Sequence, residues 1–372
     1  MHNRNKLWVN SLFLVLLSTL FMSACSFSSQ PEKPSAPDQV EEPEQPFTQI
    51  DQSKEVLQKI VGWIGEEEVL VHLGDQETQQ LVRMNIRSGE RHEIYSTDNF
   101  ILTIQISPQA DKVFLQEGSN QTMEAAVIDQ EGEEVRRTPL EYSGYINVDW
   151  NHVNEDLLFL SYFNMDSETA VETAEVKTWN LQSNEITSAS VSAIEPKWYS
   201  SNLFLYMNEE DNGFYIGDIR SEESEQKLNP ETLNFFLHQD TVITLSESDI
   251  NDDEVHLMKE YPFLVSQGAL TIPKVQMGDR LQLPYLSQSQ RDGMIVGSIP
   301  DEPVDLSQNL GSFSLYILNF ADKSMEKVID LPENAPIALS PSERYILYGW
   351  QYEQVIDLND QSEIHTLVSE ST

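Results

Sequence analysis

Cysteine is almost missing from this 372-residue chain: Cys25 is the only one, so neither an intrachain disulfide nor a cysteine-based metal cage can form. Basic residues are also scarce. Twenty-two Lys and Arg stand against 62 Asp and Glu, a formal net charge of −40. A surface of that sign repels phosphate backbones and anionic headgroups, which argues against nucleic-acid binding and against a basic membrane-docking face. It favours cationic partners or bound cations, or else serves solubility in an alkaline or salty medium. No long unbroken apolar run occurs either. Leu7 to Phe21 is interrupted by Asn10, Ser11, Ser18 and Thr19, short of the ~20 residues that span a bilayer.

That N-terminal run has a different meaning because of what flanks it. Arg4 and Lys6 precede it, and Met22-Ser23-Ala24-Cys25 closes it. The arrangement resembles a bacterial lipoprotein signal: basic start, apolar middle, small residues, then the cysteine that receives lipid. Met22 departs from the usual leucine; Ser23 and Ala24 fit. An ordinary cleaved signal would not need the cysteine. The resemblance implies a signal peptide over 1–24, lipidation at Cys25, and a protein held on the extracytoplasmic face of the cell membrane.

From Ser26 to about Phe47 the chain reads Pro31, Pro34, Pro37, Pro43 and Pro46 among Glu, Gln, Asp and Ser. Such a segment has too little apolar surface to fold. Residues 25–50 are therefore expected to form a lipidated tether, with an upper reach of roughly 70 Å if polyproline-like.

From Asp51 onward short β-branched and aromatic runs recur with turn residues every 8 to 12 positions, the pattern of strands. Only Gln52 to Ile60 admits a helical turn or two. Two units repeat. The first is a strand, a Ser-Pro turn and a second strand, as in Ile106-Ser107-Pro108 running to Leu115 and Leu339-Ser340-Pro341 running to Tyr348. Trp150-Asn151 and Lys197-Trp198-Tyr199 open degenerate copies. The second unit is a hairpin with Asn or Asp near the end of its first strand, at Asn85, Asp129, Asn180, Asp218, Asn319 and Asp357. Alternation of the two makes a four-stranded module of about 45 residues, the size of a propeller blade. The 101-residue gap between Asp218 and Asn319 accommodates two modules, with Leu233 to Leu237, Thr241 to Leu245 and Val255 to Met258 as strands of a seventh. The expected fold is all-β, a single β-propeller over 51–370 of six or seven blades, seven by repeat count. Two unrelated β-sandwiches would not give one module size throughout.

The Ser-Pro units resemble the repeats of TolB-type and prolyl-oligopeptidase-type propellers, with Gln109 and Ser342 where those repeats carry Asp. The whole layout resembles the YqgU-like lipoproteins of Gram-positive bacilli. That resemblance implies location and fold, and a ring of six blades rather than seven.

A search for chemistry yields little. The seven histidines (His2, His72, His92, His152, His238, His256 and His365) are scattered, and neither a nucleophile elbow nor a phosphate-binding glycine loop is present. Trp63, Trp150, Trp179, Trp198 and Trp350 recur at related places, as blade packing or as a sugar-stacking platform. Asp249, Asn251, Asp253 and Glu260 have the 1, 3, 5, 12 spacing of a calcium loop, but Glu254 stands where that loop needs glycine. A solvated acidic loop is the competing reading; no other cofactor is indicated.

The loops between second and third strands are acidic: Glu117, Asp166, Glu168, Glu209, Glu210, Asp211, Asp249, Asp252, Asp253, Glu254, Asp301, Glu302 and Asp305. The expected role is a membrane-anchored binding or scaffold module for a protein or cell-envelope ligand, with a cationic partner. The alternatives are an enzyme acting on an extracellular polymer through channel carboxylates, and a calcium-dependent module.

Overall fold

The computed structural model describes residues 46–369 apart from 120–121, 166–171, 192, 194, 209–210, 222–224, 261–264, 290, 292 and 360–362. Cys25 and the signal lie outside the described residues. So do Asp166, Glu168, Glu209 and Glu210. The body from residue 45 onward is one compact unit, and among the described residues it contains strands and turns but no helix. Gln52 to Ile60, the one segment with a helical alternative, is a turn closed by Lys54 N–H donating to Asp51 O, followed by the strand Leu57–Trp63.

Seven four-stranded antiparallel sheets follow one another along the chain, at 57–97, 100–140, 147–188, 197–227, 234–273, 286–331 and 337–366. In each, the strands pair in chain order. The gap between Asp218 and Asn319 holds all of the fifth sheet and the start of the sixth, with a small three-stranded sheet (275–277, 280–281 and 304–305) added between and within them.

Hydrogen bonding within a few residues sets the repeats. Asn85 Oδ1 accepts from the N–H groups of Arg87 and Ser88 at 2.9 and 2.8 Å. Asp129 does the same for Glu131 and Glu133, Asn180 for Gln182 and Ser183, Asp218 for Arg220, Asn319 for Asp322 and Asp357 for Asn359. These are Asx turns, in which a short polar side chain imitates a backbone acceptor. The Ser-Pro unit has its own closure. Ser107 Oγ accepts from Lys112 N–H at 3.1 Å and Ser340 Oγ from Tyr345 N–H at 3.0 Å. Both turns bend through a left-handed residue three places after the serine, Ala110 (φ 58°) and Glu343 (φ 60°).

Each sheet is covered on both faces by its neighbours, which explains why second strands are apolar throughout rather than alternating. Val69 to Val71, Val113 to Leu115 and Leu158 to Leu160 are all buried. Seven apolar clusters lie one to a seam between consecutive sheets, and the seventh seam joins the last sheet to the first. At the seam of sheets three and four, Phe159 stacks on Trp198 with centroids 3.9 Å apart.

The ring therefore closes. Trp63 Nε1–H of the first sheet donates to Ala338 O of the last at 2.8 Å. Asp357 accepts from Arg87 of the first sheet at 2.6 Å and from Arg344 of its own at 2.9 Å. Among the described residues no strand is exchanged between first and last sheets. A two-residue parallel pair, Ile50–Asp51 with Val368–Ser369, staples the ends instead.

Candidate functional site

Turns between first and second strands, and between third and fourth, share one face of the ring, here called the turn face. Loops between second and third strands share the other with the links between sheets, and form the loop face. First strands surround the axis: residues of five of them, with the turns that follow, line a cavity of about 480 Å³ at the turn-face mouth. Its lining mixes apolar side chains with mostly uncharged polar ones. Gln105, Gln109 and Gln288 face it with His238, several serines and the rings of Trp63 and Phe236, and Glu66 is the one carboxylate among the described lining residues. Burial, with His152 beside it, pushes His238 down to about 4, so its imidazole is neutral at pH 7.

Among the described lining residues Glu66 has no second carboxylate with which to form a catalytic pair. The inner-strand carboxyl of Asp149, raised by burial, lies 3.4 Å from Lys197 Nζ of the next sheet and accepts from Trp198 N–H at 2.8 Å. That is an ion pair tying two inner strands, not a carboxylate dyad.

The calcium-loop residues are not brought together. Asp249, Asn251 and Asp253 sit in the loop before Glu254–Glu260, whereas Glu260 ends that seven-residue strand, some 20 Å away at about 3.3 Å per residue. Glu260 is also buried. The spacing that wraps a cation in a helix–loop–helix hairpin is straightened here by strand pairing of Val255 with Ile272 and Leu257 with Leu270. Among the described residues no group of three or more His, Cys, Asp or Glu is placed to hold a metal.

The acidic loop residues divide. Glu117 is buried and ion-paired with Arg137 at 2.8 Å. Asp211 is held by Lys227 at 2.8 Å and by Tyr215. Asp305 caps its own turn, accepting from Ser307 and from Gly278 N–H, bonds that hold its carboxyl well below the usual range. Asp249, Asp252, Asp253, Asp301 and Glu302 stay exposed on the loop face. Lys274 comes near them, donating to Asp252 O at 3.3 Å.

Apolar exposure, which sequence reasoning had no means to locate, is concentrated on the loop face. Of twelve large apolar side chains exposed among the described residues, ten lie on loop-face loops, links or adjoining strand ends, among them Val56, Tyr145, Leu233, Ile250, Leu310 and Trp350. Val153 and Val265 are the two on the turn face. The described chain also enters on the turn face: Thr48 N–H donates to Ile86 O, and Phe47 lies against Arg87.

The tryptophans divide as sharply. Trp63, Trp150, Trp179 and Trp198 are buried in seams, while Trp350 is 61% exposed. The stacking-platform reading survives at Trp350 alone.

A family model described as the YqgU-like 6-bladed beta propeller domain matches residues 85–349. Those residues hold five whole sheets and parts of the first and last; the description counts six blades where this ring has seven sheets. The uncharacterized lipoprotein YqgU of Bacillus subtilis (strain 168) is 26% identical over 353 residues, 92% of this chain and 93% of that protein. Among solved structures, the uncharacterized protein lmo1340 of Listeria monocytogenes EGD-e superposes with a TM-score of 0.78 at 17% identity, over 88% of this chain and 99% of that one. The propeller domain of the Trilobed protease of Pyrococcus furiosus, described as having an open velcro topology, gives 0.53 at 13% identity over 85% and 98%. At these identities the two structures speak for the fold alone.

Proposed function

The chain belongs to the YqgU-like β-propeller family, and on that footing we propose that it is a lipid-anchored lipoprotein of the extracytoplasmic membrane face whose propeller binds a basic protein segment through its loop face. One observation carries the reading: ten of the twelve large apolar side chains exposed among the described residues lie on one face, beside the exposed carboxylates Asp249, Asp252, Asp253 and Glu302, opposite the face where the chain enters. Exposed apolar patches rimmed by polar groups mark interaction surfaces. Carboxylates gathered around them raise the local concentration of cationic partners and exclude anionic ones. The lipoprotein name of the relative supports the anchor, as does Cys25 closing the apolar run.

The test is binding of a labelled octa-arginine peptide to the mature protein across a salt series, with Asp249→Asn, Asp252→Asn and Asp253→Asn combined as the variant. Affinity should fall steeply as the screening length shrinks from about 10 Å at 0.1 M salt to about 3 Å at 1 M. The triple variant should bind roughly tenfold more weakly, since exposed pairs contribute a fraction of a kcal/mol each. Salt-independent binding, or equal binding by the variant, would remove the basis for a cationic partner.

A further inference from the structure

Four of the five tryptophans in the body fill seams; the fifth is held out in water by a loop built to keep it there. Gly349 (φ +111°) and Tyr352 (φ +54°) both lie in the left-handed region, and a Cβ on Gly349 would come within 2.5 Å of the Glu353 carboxylate. Tyr352 N–H closes the loop on Gly349 O at 3.2 Å, Ile60 N–H of the first sheet donates to Gln351 O at 3.1 Å, and Leu367 N–H donates to Glu353 O at 2.8 Å. A five-residue loop bonded to both sides of the seam presents its indole at a fixed position.

What surrounds the indole is acidic and aromatic. Tyr285 meets it edge-on at 6.1 Å and 89°. Glu333 Oε2 accepts from Trp350 Nε1–H at 3.3 Å, and the Glu333 backbone is itself fixed by Tyr348 Oη, which accepts from its N–H at 3.0 Å and donates to its carbonyl at 2.7 Å. Glu353 Oε2 accepts from Gln351 N–H at 2.8 Å. Among the described residues neither carboxylate has a lysine or arginine partner. A neutral sugar would use the ring and leave two carboxylates unmatched. A planar cation uses all of it, because guanidinium stacks on aromatic faces and bonds carboxylates in a fork.

The geometry points to Trp350, Tyr285, Glu333 and Glu353 as the seat for an arginine side chain of the partner, a proposal that rests on the loop face being the binding surface for a basic segment. The seat lies on that face, since Trp350 is in a loop between second and third strands while Tyr285 and Glu333 are in links between sheets.

Two measurements test it on the mature protein with a ¹⁵N-labelled tryptophan pool. In the first, N-acetyl-arginine methylamide is titrated while indole N–H signals are followed, Trp350 being identified by its loss in Trp350→Phe. The Trp350 signal should move saturably and the four buried indoles should not. The shift should be lost in Glu333→Gln/Glu353→Gln, and the uncharged citrulline analogue and chitotriose should give none. Equal shifts with citrulline, a saturable shift with chitotriose, or no saturable shift with the arginine amide would each overturn the seat. In the second, Trp350→Ala should weaken octa-arginine binding about five-fold with its melting temperature kept, since the ring is not part of a seam. If wild type and Trp350→Ala bind the peptide equally, the seat is wrong and the acidic face stands. If wild type does not bind the peptide at all, the loop-face reading fails and the amide titration decides the seat by itself.

Discussion

Replacing Asp357 by alanine is expected to loosen the ring where its ends meet. Its carboxylate is 2% exposed and accepts from Arg87, 15% exposed and 270 residues distant, and from Arg344, 28% exposed. Removing one member of a buried ion-pair network costs about 3–5 kcal/mol. Partial exposure of Arg344 places this case at the lower end, near ~3 kcal/mol. The Asx turn at Asn359 is lost as well. Asparagine keeps that turn and a neutral acceptor, so Asp357→Asn should cost only about 1–2 kcal/mol. At roughly 2 °C per kcal/mol for a domain of this size, the melting temperature should fall by about 6 °C for alanine and about 3 °C for asparagine. Arg220→Ala serves as control: Arg220 pairs with Asp218 while 65% exposed, and loss of so solvent-screened a pair should leave the melting temperature near that of wild type. The pH dependence follows from the same geometry. Burial alone would raise the Asp357 carboxyl, but hydrogen bonds led by that from Arg344 outweigh it and leave the group below its ordinary value. A depressed carboxylate contributes fully above its unfolded value, ~3.9, and loses that contribution as pH falls through the lower folded value. The stability gap between wild type and Asp357→Asn should therefore be constant near neutrality and close in acid. Thermal unfolding followed by circular dichroism from pH 7 to pH 3 provides the measurement. An alanine variant melting within about 1 °C of wild type, or no further than Arg220→Ala, would refute the seam as a determinant of stability.

Gly132→Ala should be severely destabilising, by more than about 3 kcal/mol, because at φ +85° its Cβ would sit 1.6 Å from Ile94 O of the neighbouring sheet; urea unfolding gives the value. Deleting 337–369 exposes the apolar clusters on both sides of the seventh sheet, so the remainder should lose its cooperative transition by calorimetry, and a native-like transition would argue for independent sheets. Cys25→Ser should move the protein from the membrane to the soluble fraction while leaving its melting temperature unchanged, as read by fractionation and a thermal scan. Stable attachment needs more than one acyl chain, so quantitative membrane retention of that variant would exclude the lipid anchor.

The module was legible in the sequence because its determinants are local. Asn85, Asp129 and Asn180 each bond N–H groups two to four residues on, and Ser107 and Ser340 each bond one five residues on. Such turns write themselves at fixed offsets; counting them marks six modules, and the 101-residue gap between Asp218 and Asn319 leaves room for the seventh. Apolar runs likewise announced strands buried on both faces. What a side chain meets across a seam leaves no such trace. Glu117 looked like an open loop carboxylate until Arg137 of the same sheet covered it. Glu260 had calcium-loop spacing until strand pairing carried it to the far end of its strand. Trp179 and Trp350 are alike in sequence, yet one is fully buried and the other stands in water. Local hydrogen bonds fix the blade, whereas ring closure decides which charges are spent and which ring is left outward, because contacts such as Arg87 with Asp357 exist only once 270 intervening residues have folded.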